Sequence, residues 1–307
     1  MLDLQMTADT IFVSIASYRD PDCKETVEDL FTTASQPDRI FVGICEQTDT
    51  ADTDLAAEDF DMWKNHVVIL KMHASEARGP TFARYICSLM CSRQKYYLQI
   101  DSHMRFVQNW DGVLIEMFKS LPGKVVISTY PADLKHHTDY KAGAVLKTVP
   151  IMRGLISDPR GIYRPQAAEM RALPDSPVPG ALVAAGFLFA ESSALLGQVP
   201  FDPHLDDVFS GEEVLLSARL FTHGFVAYSP DRPIAFHKYV RPGEPRFWDR
   251  QRDDSDALRR MRLILGLSKE EPVHLKRNIE RYGIGTERTM KDFWTTCGIP
   301  NDIVLPA

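Results

Sequence analysis

The stretch that decides the fold is KYYLQIDSHMRF, residues 95–106. Its first half is aromatic and apolar and has the length of a buried β-strand, and an Asp-Ser-His triplet follows. Residues i and i+2 of an extended chain project to the same side, so the Asp101 carboxylate and the His103 imidazole are able to converge on one ion. This ligand pair suits Mn²⁺, and Mg²⁺ less well. The segment therefore predicts a strand that ends at a metal site. The alternative is that Asp101 caps a turn and His103 is a surface residue.

Four other apolar runs have strand length, at residues 11–16, 39–45, 66–72 and 125–129. Stretches with helical periodicity lie between them, at 21–34 and after the Gly79-Pro80 pair. Alternating strands and helices predict parallel strands joined by crossover helices, hence an α/β fold with a mostly parallel central sheet flanked by helices. Ligands of such sheets bind at the carboxyl ends of the strands.

The second half of the chain has a weaker pattern. Between residues 131 and 179 the periodicity fades, which predicts a long loop region beside the active site. Apolar runs resume at 181–190, and two short strands are predicted in FVAYSP and IAFHKY. Residues from 249 onward are charged and predicted to be helical.

Composition excludes several classes of protein. A formal net charge of −7 and a pI of about 5.7 argue against a nucleic-acid-binding protein, which needs a basic surface. No apolar run reaches the roughly 20 residues of a membrane span, and the start MLDLQMTADT lacks a signal-peptide pattern. We therefore expect a soluble, cytoplasmic protein. Cys87 and Cys91 lie four apart on a predicted helix, where reduced buried thiols are favoured over metal ligands.

A third metal ligand would strengthen the metal prediction. His237 follows a short apolar strand and is one candidate, although a histidine in such a place is commonly a packed core residue. His136 and His137 are rivals, but adjacent side chains point apart in an extended chain.

Two charged clusters are candidates for binding an anionic, sugar-containing ligand. Arg78 and Arg84 flank the turn that opens a helix, whose free N–H groups favour a diphosphate; surface salt bridges are the alternative. No GxxxxGK[ST] or GxGxxG motif accompanies them, which disfavours an ATPase or a dinucleotide enzyme. Glu212 and Glu213 are placed to hydrogen-bond sugar hydroxyls or to stabilise positive charge at an anomeric carbon. Acidic residues also favour helix N-termini for purely structural reasons.

The sequence resembles the Skp1-type polypeptide (hydroxyproline) N-acetylglucosaminyltransferase family. The resemblance runs in order through IFVSIASYRDPDC, RIFVGICEQ, EARGPTFAR, KYYLQIDSHMRF, AGFLFA, FSGEEVLLSARLFTHGF, YSP, FHKYVRP and RYGIGTERT. It implies a GT-A (Rossmann-like nucleotide-binding) fold, a UDP-sugar donor and a divalent cation at a DxD-like motif, which here is Asp101-Ser102-His103. By similarity to the polypeptide N-acetylgalactosaminyltransferases, His237 becomes the third ligand.

The resemblance also implies roles for the remaining site residues. Ser17, Tyr18 and Arg19 would contact the uridine, with Ser102 beside the bound donor. Arg78 and Arg84 would lie near the diphosphate, and Glu212 and Glu213 would face the donor sugar and the acceptor. The donor is expected to be UDP-GlcNAc and the acceptor a protein or glycan hydroxyl, with retention of anomeric configuration.

The domain division that follows places a GT-A catalytic domain at residues 1–248. Its nucleotide-binding half covers about 9–130 and its acceptor-side half about 131–248, and a helical C-terminal extension covers 249–307. Two other functions stay open on the sequence: a metal-dependent nucleotide-sugar hydrolase or phosphoesterase, and a noncatalytic UDP-sugar-binding protein.

Overall fold

In the computed structural model, strands and helices alternate through the first half of the chain, as the apolar runs predict. The structure describes residues 9–52, 54–250, 252–269 and 271–300, so the start of the chain and residues 301–307 of the predicted extension lie outside the described residues. The strands are β1 (Ile11–Tyr18), β2 (Ile40–Thr48), β3 (Val67–His73), β4 (Tyr96–Asp101), β5 (Met104–Phe106), β6 (Val125–Ser128), β7 (Ala132–Asp133), β8 (Thr148–Ile151), β9 (Leu155–Asp158), β10 (Ile162–Pro165), β11 (Glu169–Ala172), β12 (Val178–Gly180), β13 (Phe187–Glu191), β14 (Val226–Ser229) and β15 (Ala235–His237). The α-helices are α1 (Cys23–Thr33), α2 (Pro80–Met90), α3 (Trp110–Lys119), α4 (His137–Lys141), α5 (Ser192–Gln198), α6 (Glu212–Thr222), α7 (Ser255–Ile264), α8 (Ile279–Tyr282) and α9 (Met290–Thr296). Short 3₁₀ segments lie at Pro37–Arg39, Ala57–His66, Ala74–Glu76, Leu134–His136, Phe247–Asp249 and Val273–Lys276.

The central sheet has eight strands in the order β12-β14-β6-β13-β4-β1-β2-β3. Strands β1 to β4 are mutually parallel, and β14 runs parallel to β6, whereas β13 is antiparallel to both β4 and β6 and β12 is antiparallel to β14. The predicted α/β fold with a mostly parallel sheet is confirmed. The carboxyl ends of β1, β2 and β4 lie together at one edge.

Helices cover both faces of the sheet, which is why its inner strands read as continuous apolar runs. On one face, Val27 and Leu30 of α1 and Trp110 of α3 pack against Val13 and Ile15 of β1. On the other face, α5 and α6 pack over residues of β1, β4 and β13 that include Phe12, Tyr97 and Leu188.

The region between 131 and 179 is not one long loop, and that prediction was wrong. It contains two small antiparallel sheets, β8 with β11 and β9 with β10, and β12 at the edge of the central sheet. These strands have three or four residues each, too few for an alternating pattern to stand out in the sequence.

The chain after residue 249 is partly helical, as predicted. Met261 of α7 and Trp294 of α9 share an apolar cluster with Val214 and Leu215 of α6, so these helices pack on the body of the protein. Among the described residues, no helix is long and apolar enough to cross a membrane. The domain division itself stays a prediction.

Candidate functional site

A three-stranded sheet, in the order β5-β15-β7, follows the end of β4 and brings distant parts of the chain together. β15 pairs antiparallel with β5, with His237 opposite Met104, and parallel with β7. The Lys238 N–H also donates to the His103 carbonyl at 3.1 Å. Asp101 is the last residue of β4, so this register places His237 beside Asp101 and His103.

Asp101, His103 and His237 converge. One ligand atom from each lies within 4.8 Å of the other two. His237 Nε2 is 3.0 Å from Asp101 Oδ2 and 3.0 Å from His103 Nε2. One carboxylate and two imidazole nitrogens directed at a common point fit a divalent transition metal such as Mn²⁺.

Asp20, in the turn after β1, fixes the orientation of His103. Its Oδ2 lies 2.6 Å from His103 Nδ1, and it also accepts from Ser102 Oγ at 2.7 Å and Arg241 Nη1 at 2.7 Å. Because a carboxylate accepts, His103 carries its proton on Nδ1 and directs the lone pair of Nε2 toward His237 and Asp101. Carboxylate partners of this kind orient metal-binding histidines in many proteins.

The electrostatic surroundings keep Asp101 ionised. Burial acts to raise the pKa of the Asp101 carboxyl, but the hydrogen bond from His237 and the positive charge of Arg84 hold that pKa well below its usual range. Arg84 Nη2 lies 3.5 Å from Asp101 Oδ1. The carboxylate is therefore available as a ligand across the physiological pH range.

The two glutamates at the start of α6 make different contacts. Glu212 Oε2 accepts from Arg84 Nη1 at 2.6 Å and from Thr81 Oγ1 at 2.9 Å. Glu213 Oε2 accepts from the Tyr130 hydroxyl at 2.6 Å, and its Oε1 accepts from the Ala185 N–H at 2.8 Å. Burial raises the pKa of the Glu213 carboxyl to about 7. Each carboxylate is thus engaged within the protein.

Two clefts meet at the cluster. The first, about 280 Å³, is lined by Tyr18, Gln47, Ser102, Arg241, Arg246 and Trp248 among others. The second, about 350 Å³, is lined by residues that include Tyr130, Arg164, Gly186, Glu212 and Glu213. Both clefts share Arg84, Asp101, Phe209, His237 and Tyr239. The three converging side chains therefore stand at, or directly beside, the wall between the two clefts.

Three residues with predicted ligand contacts are not brought to this wall. Ser17 is buried in β1. Arg19 has a left-handed backbone, with a φ of 49°, and makes a bidentate ion pair with Asp52. Arg78 pairs with Asp206. Tyr18, Ser102 and Arg84 do line the first cleft, and their roles remain predictions.

Several residues of the first cleft were missed as candidate ligand contacts. Lys238, Arg241, Arg246, Phe247 and Trp248 form one basic and aromatic segment that follows His237 directly. The signal available in the sequence was the mixture of cationic and aromatic residues directly after His237, a predicted metal ligand. Asp20 carried a second signal, since it lies just past the end of β1, at the ligand-binding edge.

The sequence matches the model of the family described as Glycosyltransferase (GlcNAc), over residues 10–62 and 56–302. These two matches together span nearly the whole chain. No curated protein sequence matches it significantly.

Solved structures share the fold. The crystal structure of GalNAc-T7 with UDP, GalNAc and Mn²⁺ superposes with a TM-score of 0.63 at 13% identity, covering 96% of this chain and 59% of that one. The structure of S. aureus TarS residues 1–349 in complex with UDP-GlcNAc gives a TM-score of 0.53 at 10% identity, covering 89% and 71%. The fold is thus that of the GT-A glycosyltransferases, and the chain spans less than two thirds of the length of GalNAc-T7.

Proposed function

Because this chain belongs to the Glycosyltransferase (GlcNAc) family, we propose that it transfers a sugar from a UDP-sugar donor to a hydroxyl group of a protein or glycan acceptor. We further propose that the sugar is N-acetylglucosamine and that Asp101, His103 and His237 bind a divalent cation, Mn²⁺ in the first place. The observation that carries this proposal is the convergence of these three side chains where two clefts meet.

In this proposal the first cleft receives the nucleotide. Tyr18 and Gln47 line its inner part and provide an aromatic ring and an amide for the uridine. Within the described part of the chain, the Arg246 guanidinium donates one hydrogen bond, to the Arg241 carbonyl, so most of its N–H groups are available to phosphate oxygens. The chemistry that the cation supplies is Lewis-acid stabilisation of the charge that grows on the leaving diphosphate.

The second cleft then receives the sugar and the acceptor. Among the described residues that line it, every carboxylate is already engaged: Asp101 with His237, Glu212 with Arg84 and Thr81, Glu213 with Tyr130 and Ala185. Each of the three is therefore held by protein contacts through at least one oxygen. This favours retention of configuration, with the acceptor proton passing to an oxygen of the departing phosphate. Glu212 and Glu213 face the sugar without abstracting that proton.

The proposal is tested by measuring UDP release from a panel of UDP-sugars, with Mn²⁺ or with EDTA. We expect Mn²⁺-dependent release with UDP-GlcNAc, and its loss in Asp101→Asn and His237→Ala. His136→Ala is the matched control, because His136 is an exposed histidine of the segment after β7 and should leave the rate unchanged.

Other outcomes would contradict the proposal in distinguishable ways. Release of free sugar with every acceptor offered would favour the nucleotide-sugar hydrolase. Saturable UDP-sugar binding without any release of UDP would favour a noncatalytic binding protein. Release that is insensitive to EDTA and to both substitutions would remove the metal site from the reaction.

A further inference from the structure

The turn before β13, residues 184–186, packs against Asp101. The Asp101 N–H donates to the Gly186 carbonyl at 3.3 Å. A Cβ atom added to Gly186 would lie 2.7 Å from Asp101 Oδ2 and 3.3 Å from its Cγ. The Asp101 carboxylate therefore lies directly against the Gly186 backbone, and its position depends on where that backbone is held.

Side chains from three elements hold this turn. Gln99 Nε2 donates to the Ala185 carbonyl at 2.5 Å. Ser128 Oγ accepts from the Ala184 N–H at 2.8 Å and donates to the Phe187 carbonyl at 2.6 Å. Glu213 Oε1 accepts from the N–H of Ala185, the residue that precedes Gly186. Of these contacts, the one from Glu213 connects the turn to α6 and to the second cleft.

Glu213 is itself held in one orientation. Its second oxygen accepts from the Tyr130 hydroxyl, so the two carboxylate oxygens face two different partners. A carboxylate fixed at both oxygens serves better as a rigid support than as a group that must approach a substrate.

We propose that Glu213 is a positioning residue: by holding the Ala185 N–H it keeps Gly186 against the Asp101 carboxylate and so sets the affinity of the cluster for a divalent cation. This inference rests on the proposed function only in taking Asp101, His103 and His237 as the ligands.

The experiment measures Mn²⁺ binding to the full chain without donor or acceptor, by the electron paramagnetic resonance signal of free Mn²⁺. We expect Glu213→Ala to weaken binding by about tenfold or more, in the range found for groups that support metal ligands. Glu213→Gln keeps an oxygen that accepts from the Ala185 N–H, so it should stay within about threefold of wild type. Gly186→Ala should weaken binding like Glu213→Ala, because its Cβ displaces the same carboxylate.

Tyr130→Phe serves as the matched control, since it removes the other partner of Glu213 and leaves the contact with Ala185. It should stay within about threefold of wild type. Circular dichroism follows the thermal unfolding of each metal-free variant and so detects general destabilisation. Mn²⁺ affinity that is lost in Glu213→Ala and retained in Glu213→Gln then indicates positioning.

Wild-type Mn²⁺ affinity in Glu213→Ala would overturn this inference and leave the proposed function standing. Equal losses in Glu213→Ala and Glu213→Gln would overturn it as well. Absence of saturable Mn²⁺ binding in the wild type, or binding unchanged in Asp101→Asn, would overturn the inference together with the metal site of the proposed function.

Discussion

Replacing Glu213 with glutamine should change how the stability of the protein depends on pH. Burial raises the pKa of Glu213 from an ordinary value of 4.5 to about 7. The folded chain therefore holds this proton where the unfolded chain has lost it, and the free energy of unfolding falls as pH rises from about 4.5 to about 7. At about 1.4 kcal/mol per tenfold change in the proton equilibrium, the full loss is about 3 kcal/mol. Glutamine does not ionise, so the variant lacks this loss.

Part of the pH-dependent loss of stability should persist in Glu213→Gln, because Glu46 contributes to it as well. Burial also raises the pKa of its carboxyl to about 7, so it contributes a fall in stability over the same interval. We expect Glu213→Gln to remove roughly half of the combined decrease and Glu46→Gln to remove a similar share.

The assay is urea denaturation of the metal-free protein, at half-unit steps between pH 4.5 and 8, in the presence of EDTA. Relative to wild type, the urea midpoint of Glu213→Gln should rise progressively toward pH 7 and then stay level. Glu280→Gln, the same chemical change on the exposed surface of α8, is the control. A wild type and a Glu213→Gln variant whose midpoints change in parallel across this interval would refute the assignment of the proton to Glu213.

Three other perturbations have defined outcomes. Asp20→Asn should lower Mn²⁺ affinity by about 10- to 100-fold, because the amide no longer holds His103 through a charged acceptor; isothermal titration of the metal-free protein checks this, and unchanged affinity would contradict it. Asp202→Asn should destabilise the fold by about 3–5 kcal/mol, because it leaves the buried Arg260 guanidinium without its counter-charge; a urea midpoint equal to that of wild type would count against it. Arg78→Ala should change the donor KM by less than about twofold, since this guanidinium faces Asp206 in a partly exposed ion pair; a tenfold rise in KM would show that Arg78 reaches the donor after all.

The fold was largely readable from the sequence because its decisive strands are buried on both faces. All five apolar runs of the first half became strands of the central sheet, at Ile11–Tyr18, Ile40–Thr48, Val67–His73, Tyr96–Asp101 and Val125–Ser128. The strands between 131 and 179 were not predicted because they have at most four residues each, too few for hydrophobic burial to leave a period in the sequence.

The site was readable only where local geometry defines it. The placement of Asp101 and His103 follows from their spacing at a strand end, whereas His237 was selected by resemblance. Arg78 looked like a phosphate ligand because its partner, Asp206, lies 128 residues further along the chain. Ion pairs of such separation are set by tertiary packing, and nothing in the local pattern of the arginine reveals them.

The second imidazole of the cluster, His237, comes from β15, 134 residues after His103. During synthesis, a nascent chain that has passed the first half of the sheet carries only two of the three ligands. The complete cluster forms after β15 has emerged and paired with β5, so the proposed cation site is completed late, and products of translation interrupted before residue 237 lack its third ligand.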